Sequence, residues 1–327
     1  MKHPDDGILL VDKAEGETSH GVVKKVRSAL HQGKRYKGKR YKVGHAGTLD
    51  PFATGLLVVL LGQGTKLSKF IMAGEKEYLA TLELGVETDT LDPTGTVTAI
   101  RDVPTLSLDH IQETAKQYEG RIRQTPPAYS AVKHQGLRAY TLARKGIPVN
   151  LKERTVTVHS VSIVSVDLPH ITMRIRCGSG TYIRSLAADL ARDLGSVGRL
   201  KTLRRLKSGT FDVADAMPSE DILHEALVSI LEKGMPLRDA LSGMDGIEVD
   251  IQLAEKVRQG YQPCWNELVH ILAPVHPLIV GAKNFSPLQN DQESFIKLIS
   301  GDKLLAIAKK NDRGGGHEKV KFERVFS

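Results

Sequence analysis

A chain of 327 residues is too long for one small domain, and 40% hydrophobic with 26% charged residues excludes a disordered or fibrous composition. Its longest aliphatic run, residues 56–61, is far short of the roughly 20 residues a helix needs to cross a bilayer, so no membrane span is expected. The net charge of +8 is localised, with nine basic and no acidic residues between positions 24 and 42, and a second acid-free cluster in RLKTLRRLK; together they point to a polyanion, most simply nucleic acid.

The opening MKHPDDG has no apolar h-region, so it does not read as a signal peptide, and a cytoplasmic protein is expected. A first strand is predicted at GILLVDK. In the following TSHGVVKKVRSALH, Ser19 is placed to cap a helix whose Val22, Val23, Val26 and Leu30 share one face. The basic stretch, with Tyr36 and Tyr41 interleaved, leads into GHAGTLDPFATG (44–55) and the strand-like run 56–61. EYLATLELGVETDTLDPTGTVTAI alternates like paired strands joined by a turn at 92–95. A helix is expected over about 108–118, then an extended Pro-Pro segment and a helix ending at Gly146.

RTVTVHSVSIVSVD and ITMRIRC read as strands. GSGTYIRSLAADLARDLG reads as a turn and helix, with Thr181 as a possible cap and Gly195 as the stop; such a turn can aim Tyr182 and Arg184 at a ligand. Helical and strand patterns interleave without βαβ regularity, so the fold class is α+β with a mostly antiparallel mixed sheet. After about Ser242 the texture changes to a short helix ended by Gly260 and two strands around the glycines at 314–316. A large domain over 1–242 and a small β-rich one over 243–327 are therefore expected.

Several chemistries are disfavoured. Cys177 and Cys264 lack CxxC partners, and none of the twelve histidines stands at a metal-ligand spacing, so no metal is expected. GQGTK (62–66) lacks the GxxxxGK[ST] spacing of a phosphate loop. Two aspartates precede prolines, Asp50 and Asp92. Asp-Pro is ordinarily a turn, which explains Asp92 between two strands. Around Asp50, however, Gly44, Gly47 and Gly55 supply more backbone freedom than a turn requires, as though something bulky approached the main chain there.

GHAGTLDPFATGLL resembles the signature of the TruB family of tRNA pseudouridine synthases. The resemblance continues in order through KEYLATLELGVETDTLDPTG, PPAYSAVKHQGLRAYTLARKG, CGSGTYIRSLAADLARDLG and LRRLKSG, about residues 7–215. The end of the chain is similar, more weakly, to the PUA-like RNA-binding domain that follows the catalytic domain in that family. The resemblance implies a pseudouridine synthase catalytic domain and an isomerase that needs no cofactor. Its reaction breaks the C1′–N1 bond of uridine 55 in the tRNA T-arm, rotates the uracil and forms a C1′–C5 bond.

The resemblance also implies site residues. Asp50 is implied as the catalytic residue, either a nucleophile or a base on the ribose, while Asp92 belongs to a separate motif near the cleft. The target base must be flipped out, at a cost of roughly a few kcal/mol. His45 would fill the vacated space, and Tyr78 would stack on the uracil, worth about 1 to 3 kcal/mol, with its hydroxyl assisting proton removal at C5. Arg184 would hold Asp50 charged and oriented, and Tyr182 and Leu203 match pocket positions.

Lys13 matches a family lysine near the site, although an exposed strand-end charge explains it equally. Lys34, Arg35, Lys37, Lys39, Arg40 and Lys42 lie in a stretch longer than the family's usual connection, either a clamp on the RNA backbone or an insertion without a role. A monomer without an obligatory protein partner is expected. A tRNA-folding chaperone is a second reading, since it would need the basic clusters but not Asp50. The catalytic subunit of a guide-RNA complex is disfavoured, because Phe52 rather than a basic residue follows LDP.

Overall fold

The computed structural model describes residues 6–32, 41–134, 136–223, 233–272, 295–309 and 319–326. Lys34, Arg35, Lys37, Lys39, Arg40 and the glycines at 314–316 lie outside the described residues. Ten strands among the described residues form one mixed, mostly antiparallel sheet. Its main path runs Met217–Pro218, Gly7–Lys13, Thr54–Leu61, Gly198–Ser208, Lys76–Leu84, His170–Cys177, Arg154–Asp167 and Gly120–Gln124.

The sheet is covered unevenly, and the sequence pattern follows the cover. Gly7–Lys13 and Thr54–Leu61 are buried on both faces and are therefore almost continuously apolar. On one face Leu9, Val11, Leu57 and Val59 meet Val22, Val26 and Leu30 of the helix Ser19–Gln32. On the other, Ile8, Leu10, Leu56 and Val58 meet Leu304, Ile307 and Phe326 near the end of the chain. Lys76–Leu84 and His170–Cys177 alternate instead. Their apolar residues pack under the helices Leu108–Lys116 and Ile183–Asp193, while the opposite face carries ion pairs such as Arg174–Glu77 at 2.6 Å and Arg176–Glu75 at 3.2 Å.

The second basic cluster is not the open patch expected of it. RLKTLRRLK forms the central strand Gly198–Ser208. Arg199 binds Glu83 at 2.9 Å, Arg204 grips both carboxylate oxygens of Asp12 at 2.9 and 2.6 Å, and Arg205 is buried. The neutralising acids come from other strands, so the run alone could not show them.

Three local expectations also change. Thr18, not Ser19, caps the first helix by accepting from the Gly21 amide. Thr181 donates to the Gly178 carbonyl and does not cap its helix, which begins at Ile183. The helix expected before Gly146 is the short Ala139–Ala143.

The end of the chain forms a second sheet in the order Gly246–Glu248, Phe295–Ser300, Lys303–Lys309 and Phe322–Val325, flanked by the helix Ile251–Arg258. It docks on the main sheet through the shared apolar cluster. Lys66 completes the contact: its ammonium donates to the Val325 carbonyl at 2.7 Å and lies 5.5 Å from the Phe326 ring centroid.

One close approach fixes a glycine. Gly55 pairs with Arg205 across parallel strands at φ +99°, where a Cβ would run into the Arg205 backbone. Gly209 also has positive φ, +60°, but nothing lies near its missing Cβ. Gly55→Ala is expected to cost more than the roughly 1 kcal/mol of a mere conformational mismatch and Gly209→Ala about that amount, so in thermal melts the first should lose clearly more.

Candidate active site

Asp50 lies in the loop between Val43–His45 and Thr54–Leu61, and neighbouring elements hold that loop on every side. The Ser19 hydroxyl donates to the Leu49 carbonyl at 2.9 Å and accepts from the Leu49 amide at 2.8 Å. The Lys13 ammonium donates to the carbonyls of Ala14, Glu17 and Pro51 at 2.8, 2.8 and 3.2 Å. The Pro51 carbonyl also accepts from the Gly16 amide at 2.8 Å. Arg205 donates from Nε to the Leu56 carbonyl at 2.7 Å and from Nη2 to the Gly47 carbonyl at 3.1 Å. These bonds fix the residues on either side of Asp50, which is how a loop can carry a side chain with strand-like precision.

Lys13 is accordingly neither an exposed strand-end charge nor a contact for an RNA backbone. It is fully buried, and its ammonium is occupied by three carbonyls. Burial lowers its pKa to about 8 despite nearby Glu17 and Asp50. The close approach that the glycines near Asp50 suggested is made by the chain itself. Gly47 and Gly55 make room for Arg205, the first for its guanidinium and the second for its backbone.

Arg184 reaches Asp50 from the first turn of Ile183–Asp193, with Nε 2.9 Å from Oδ2. The guanidinium is 4% exposed. It also donates to the carbonyls of Thr90 at 2.7 Å and Tyr129 at 3.0 Å, and its Nη1 lies 3.5 Å from Oδ2 of Asp92. Asp92 is therefore more than an ordinary turn residue. It is buried, its Oδ1 accepts from the hydroxyls of Thr90 and Thr94 and the Thr94 amide, and Arg184 lies between it and Asp50. Leu91, between Thr90 and Asp92, adopts φ +59°, local strain spent on presenting both neighbours to the guanidinium.

The Asp50 carboxyl has a raised pKa. Burial is the main cause, Arg184 opposes it, Asp92 adds to the rise and Lys13 opposes it again. The side chain nevertheless remains 34% exposed, so it can meet a ligand.

The other expected residues fall around it. Tyr78, on Lys76–Leu84, packs against the apolar cluster that contains Leu49, Phe52 and Leu203. His45 has a lowered pKa, caused first by burial and then by Arg205 and His20, so it is neutral near pH 7, and its Nδ1 is buried without a hydrogen-bond partner among the described residues. Tyr182 is fixed by Gln124, which exchanges two hydrogen bonds with its backbone, and its ring carries the Arg154 guanidinium at 4.5 Å. Lys42 stands exposed beside the strand that ends in His45. Sequence reasoning placed Asp92 near the cleft without its contact to Arg184, took Ser19 for a helix cap and missed Arg205, because their spacing from Asp50 carries no local signal. Chemically, the arrangement offers a partly open carboxyl group paired with a buried arginine, near an aromatic ring on an apolar floor. It suits attack on, or proton removal from, a flat ligand that can stack.

Residues 34–183 match the N-terminal domain of the TruB family of pseudouridylate synthases. A protein of Syntrophus aciditrophicus called tRNA pseudouridine synthase B is 43% identical over 259 residues, covering 79% of this chain and 80% of that protein. A protein of the same name from Desulfotalea psychrophila is 48% identical over 225 residues, covering 67% and 88%. Among solved structures, a Cbf5–Nop10–Gar1 complex contains a chain with TM-score 0.73 at 22% identity, covering 99% of this chain and 86% of that one. At that identity the likeness establishes the fold alone.

The shared guanidinium makes a titration prediction. Because Asp92 adds to the rise in the Asp50 pKa, Asp92→Asn should lower it, moving the Asp50 carboxyl ¹³C titration to lower pH. A titration that stays in place or moves up would mean that the two carboxylates do not compete for Arg184.

Proposed function

This chain belongs to the TruB family of pseudouridylate synthases, and we propose that it isomerises uridine 55 in the T-arm of tRNA, with Asp50 as the catalytic residue. The enzyme is an isomerase of the tRNA pseudouridine synthase class. The observation that carries the Asp50 assignment is its partly open carboxyl group, bound by the buried Arg184 and close enough to Tyr78 for its charge to act on the phenol.

The reaction needs an ionised carboxylate at the ribose. Burial opposes that charge, and Arg184 offsets burial while fixing the carboxylate's direction. As a nucleophile Asp50 bonds C1′ as the N1–C1′ bond breaks; as a base it takes a ribose proton. In either route the freed uracil turns in place on Tyr78, with Leu203 in the same apolar cluster, until C5 faces C1′. C5 then bonds C1′, which breaks the Asp50–C1′ bond in the first route and is accompanied by return of the ribose proton from Asp50 in the second; the C5 proton leaves and one is taken up at N1, so no co-reactant is consumed. The Tyr78 oxygen, as phenolate, receives the C5 proton. His45, neutral and with a buried nitrogen left for a partner, braces the space vacated by the base. Tyr182 lines the pocket edge.

The rest of the tRNA meets the basic stretch from Lys34 to Lys42 and residues 243–327, which act as a PUA-like RNA-binding module beside the catalytic domain of residues 1–242. The enzyme works as a cytoplasmic monomer, without an obligatory protein partner.

The test is to incubate wild type and Asp50→Asn with one unmodified tRNA transcript and map pseudouridine at nucleotide resolution. Product at position 55 with wild type, and a loss of at least about 100-fold with Asp50→Asn at near-unchanged tRNA affinity, is expected. Tight binding with no product from either protein would favour the folding chaperone instead. Affinity should also fall linearly with salt on logarithmic axes, as cationic side chains release phosphate counterions, and a flat response would remove the clamp role of the basic stretch.

A further inference from the structure

Arg205 is a buried cation that the chemistry above leaves without a task. Only 1% of it is exposed, and none of the ion pairs among the described residues includes it. Two carbonyls satisfy part of its fork, but carbonyl dipoles alone do not neutralise a charge removed from water. Loop anchoring by itself would be met more cheaply by a neutral donor.

The strand register shows where the charge is directed. Arg205 stands opposite Tyr78 across the antiparallel pair Gly198–Ser208 and Lys76–Leu84, so the two side chains leave the same face of the sheet as neighbours. Directly opposite side chains of an antiparallel pair are nearest neighbours, and the Arg205 charge acts on the Tyr78 phenol to lower its pKa. On the far side of Tyr78 the partner strand presents Ile175, with Cys177 near, and Asp50 faces it from its loop. Of the ionisable groups around this phenol, Arg205 is the one that favours its anionic form, while Cys177 and Asp50 disfavour it.

We propose that Arg205 is a positioning residue for the isomerisation, orienting the Tyr78 phenol and stabilising its phenolate so that the oxygen can take the C5 proton of the rotated uracil. The proposal rests on the reading of Tyr78 as that proton's acceptor. Once the C1′–C5 bond has formed, the C5–H bond breaks, its electron pair restores the C5–C6 double bond, and the proton passes to the Tyr78 oxygen. N1 takes up a proton, and loss of the phenol proton to solvent restores the phenolate. Burial pushes the Tyr78 pKa up and Arg205 holds it below the value that burial alone would give.

The experiment places 3-fluorotyrosine at position 78 of the full chain and follows its ionisation by ¹⁹F NMR in wild type, Arg205→Lys and Arg205→Met. The phenol pKa should rise in Arg205→Met by about one unit or more, a tenfold change in its ionisation constant, and by less in Arg205→Lys. An unmoved titration in folded variants overturns the proposal.

If Arg205→Met does not fold, the ¹⁵N and ¹H resonances of the Arg205 guanidinium are compared between wild type and Tyr78→Phe. They should shift when the hydroxyl is removed, and unshifted resonances overturn the proposal. The underlying reading has its own test with tRNA deuterated at uridine C5. Tyr78→Phe should show a larger isotope effect than wild type, and an unchanged one removes Tyr78 as the proton acceptor whatever the fluorotyrosine reports.

Discussion

Whether Asp50 can work at all depends on Arg184. Removing a carboxylate from water favours its neutral form, and a neutral carboxylic acid is neither a nucleophile nor a base. A cation at contact distance opposes that preference, and it must be immobile to fix direction as well as charge. Arg184 meets both needs because its remaining donors are spent on the Thr90 and Tyr129 carbonyls and its other edge faces Asp92. Sharing has a consequence of its own. A guanidinium that also serves Asp92 stabilises the charged form of Asp50 less than a private one would, leaving a more basic carboxylate.

The loop that carries Asp50 is built to the same standard, from distant pieces. Ser19 begins the first helix, Lys13 ends the first strand, and Arg205 sits mid-strand in the centre of the sheet; each binds a carbonyl within six residues of Asp50. Two of the three are buried cations. A charge held by carbonyls is costly to bury and strongly directional once buried, so it defines one loop conformation more sharply than an apolar side chain could.

What the sequence made legible was whatever repeats locally. Gly7–Lys13 and Arg154–Asp167 were readable to the residue, because a strand covered on both faces is continuously apolar and one covered on one face alternates. The helix of Arg184 was readable from its stripe and its stop glycine. Asp50 stood out from its glycines and Arg184 from its turn, but their pairing came only through resemblance to known motifs, and the geometry now gives it a physical reason. The rest depended on contacts across the chain. Arg204 and Arg199 looked like a free basic patch because their acids lie 192 and 116 residues away. Asp92 looked like a turn because its sequence is that of a turn, and nothing local shows that the turn closes on Arg184. The glycines near Asp50 did signal a close approach, but what approaches is Arg205.

The two buried arginines divide the chemistry between them. The reaction needs one group that acts on the ribose as an anion and another that later takes a proton from carbon, two demands that a single residue in one environment meets poorly. Enzymes separate such roles by giving neighbouring groups different electrostatic surroundings. In the reaction proposed above the groups are Asp50 and Tyr78, each pushed toward its neutral form by burial and each pulled back by its own guanidinium. Arg184 comes from a helix end and Arg205 from the adjoining strand, so the two settings can be tuned independently. That independence follows from placing the site where a helix, a loop and two paired strands of the sheet converge.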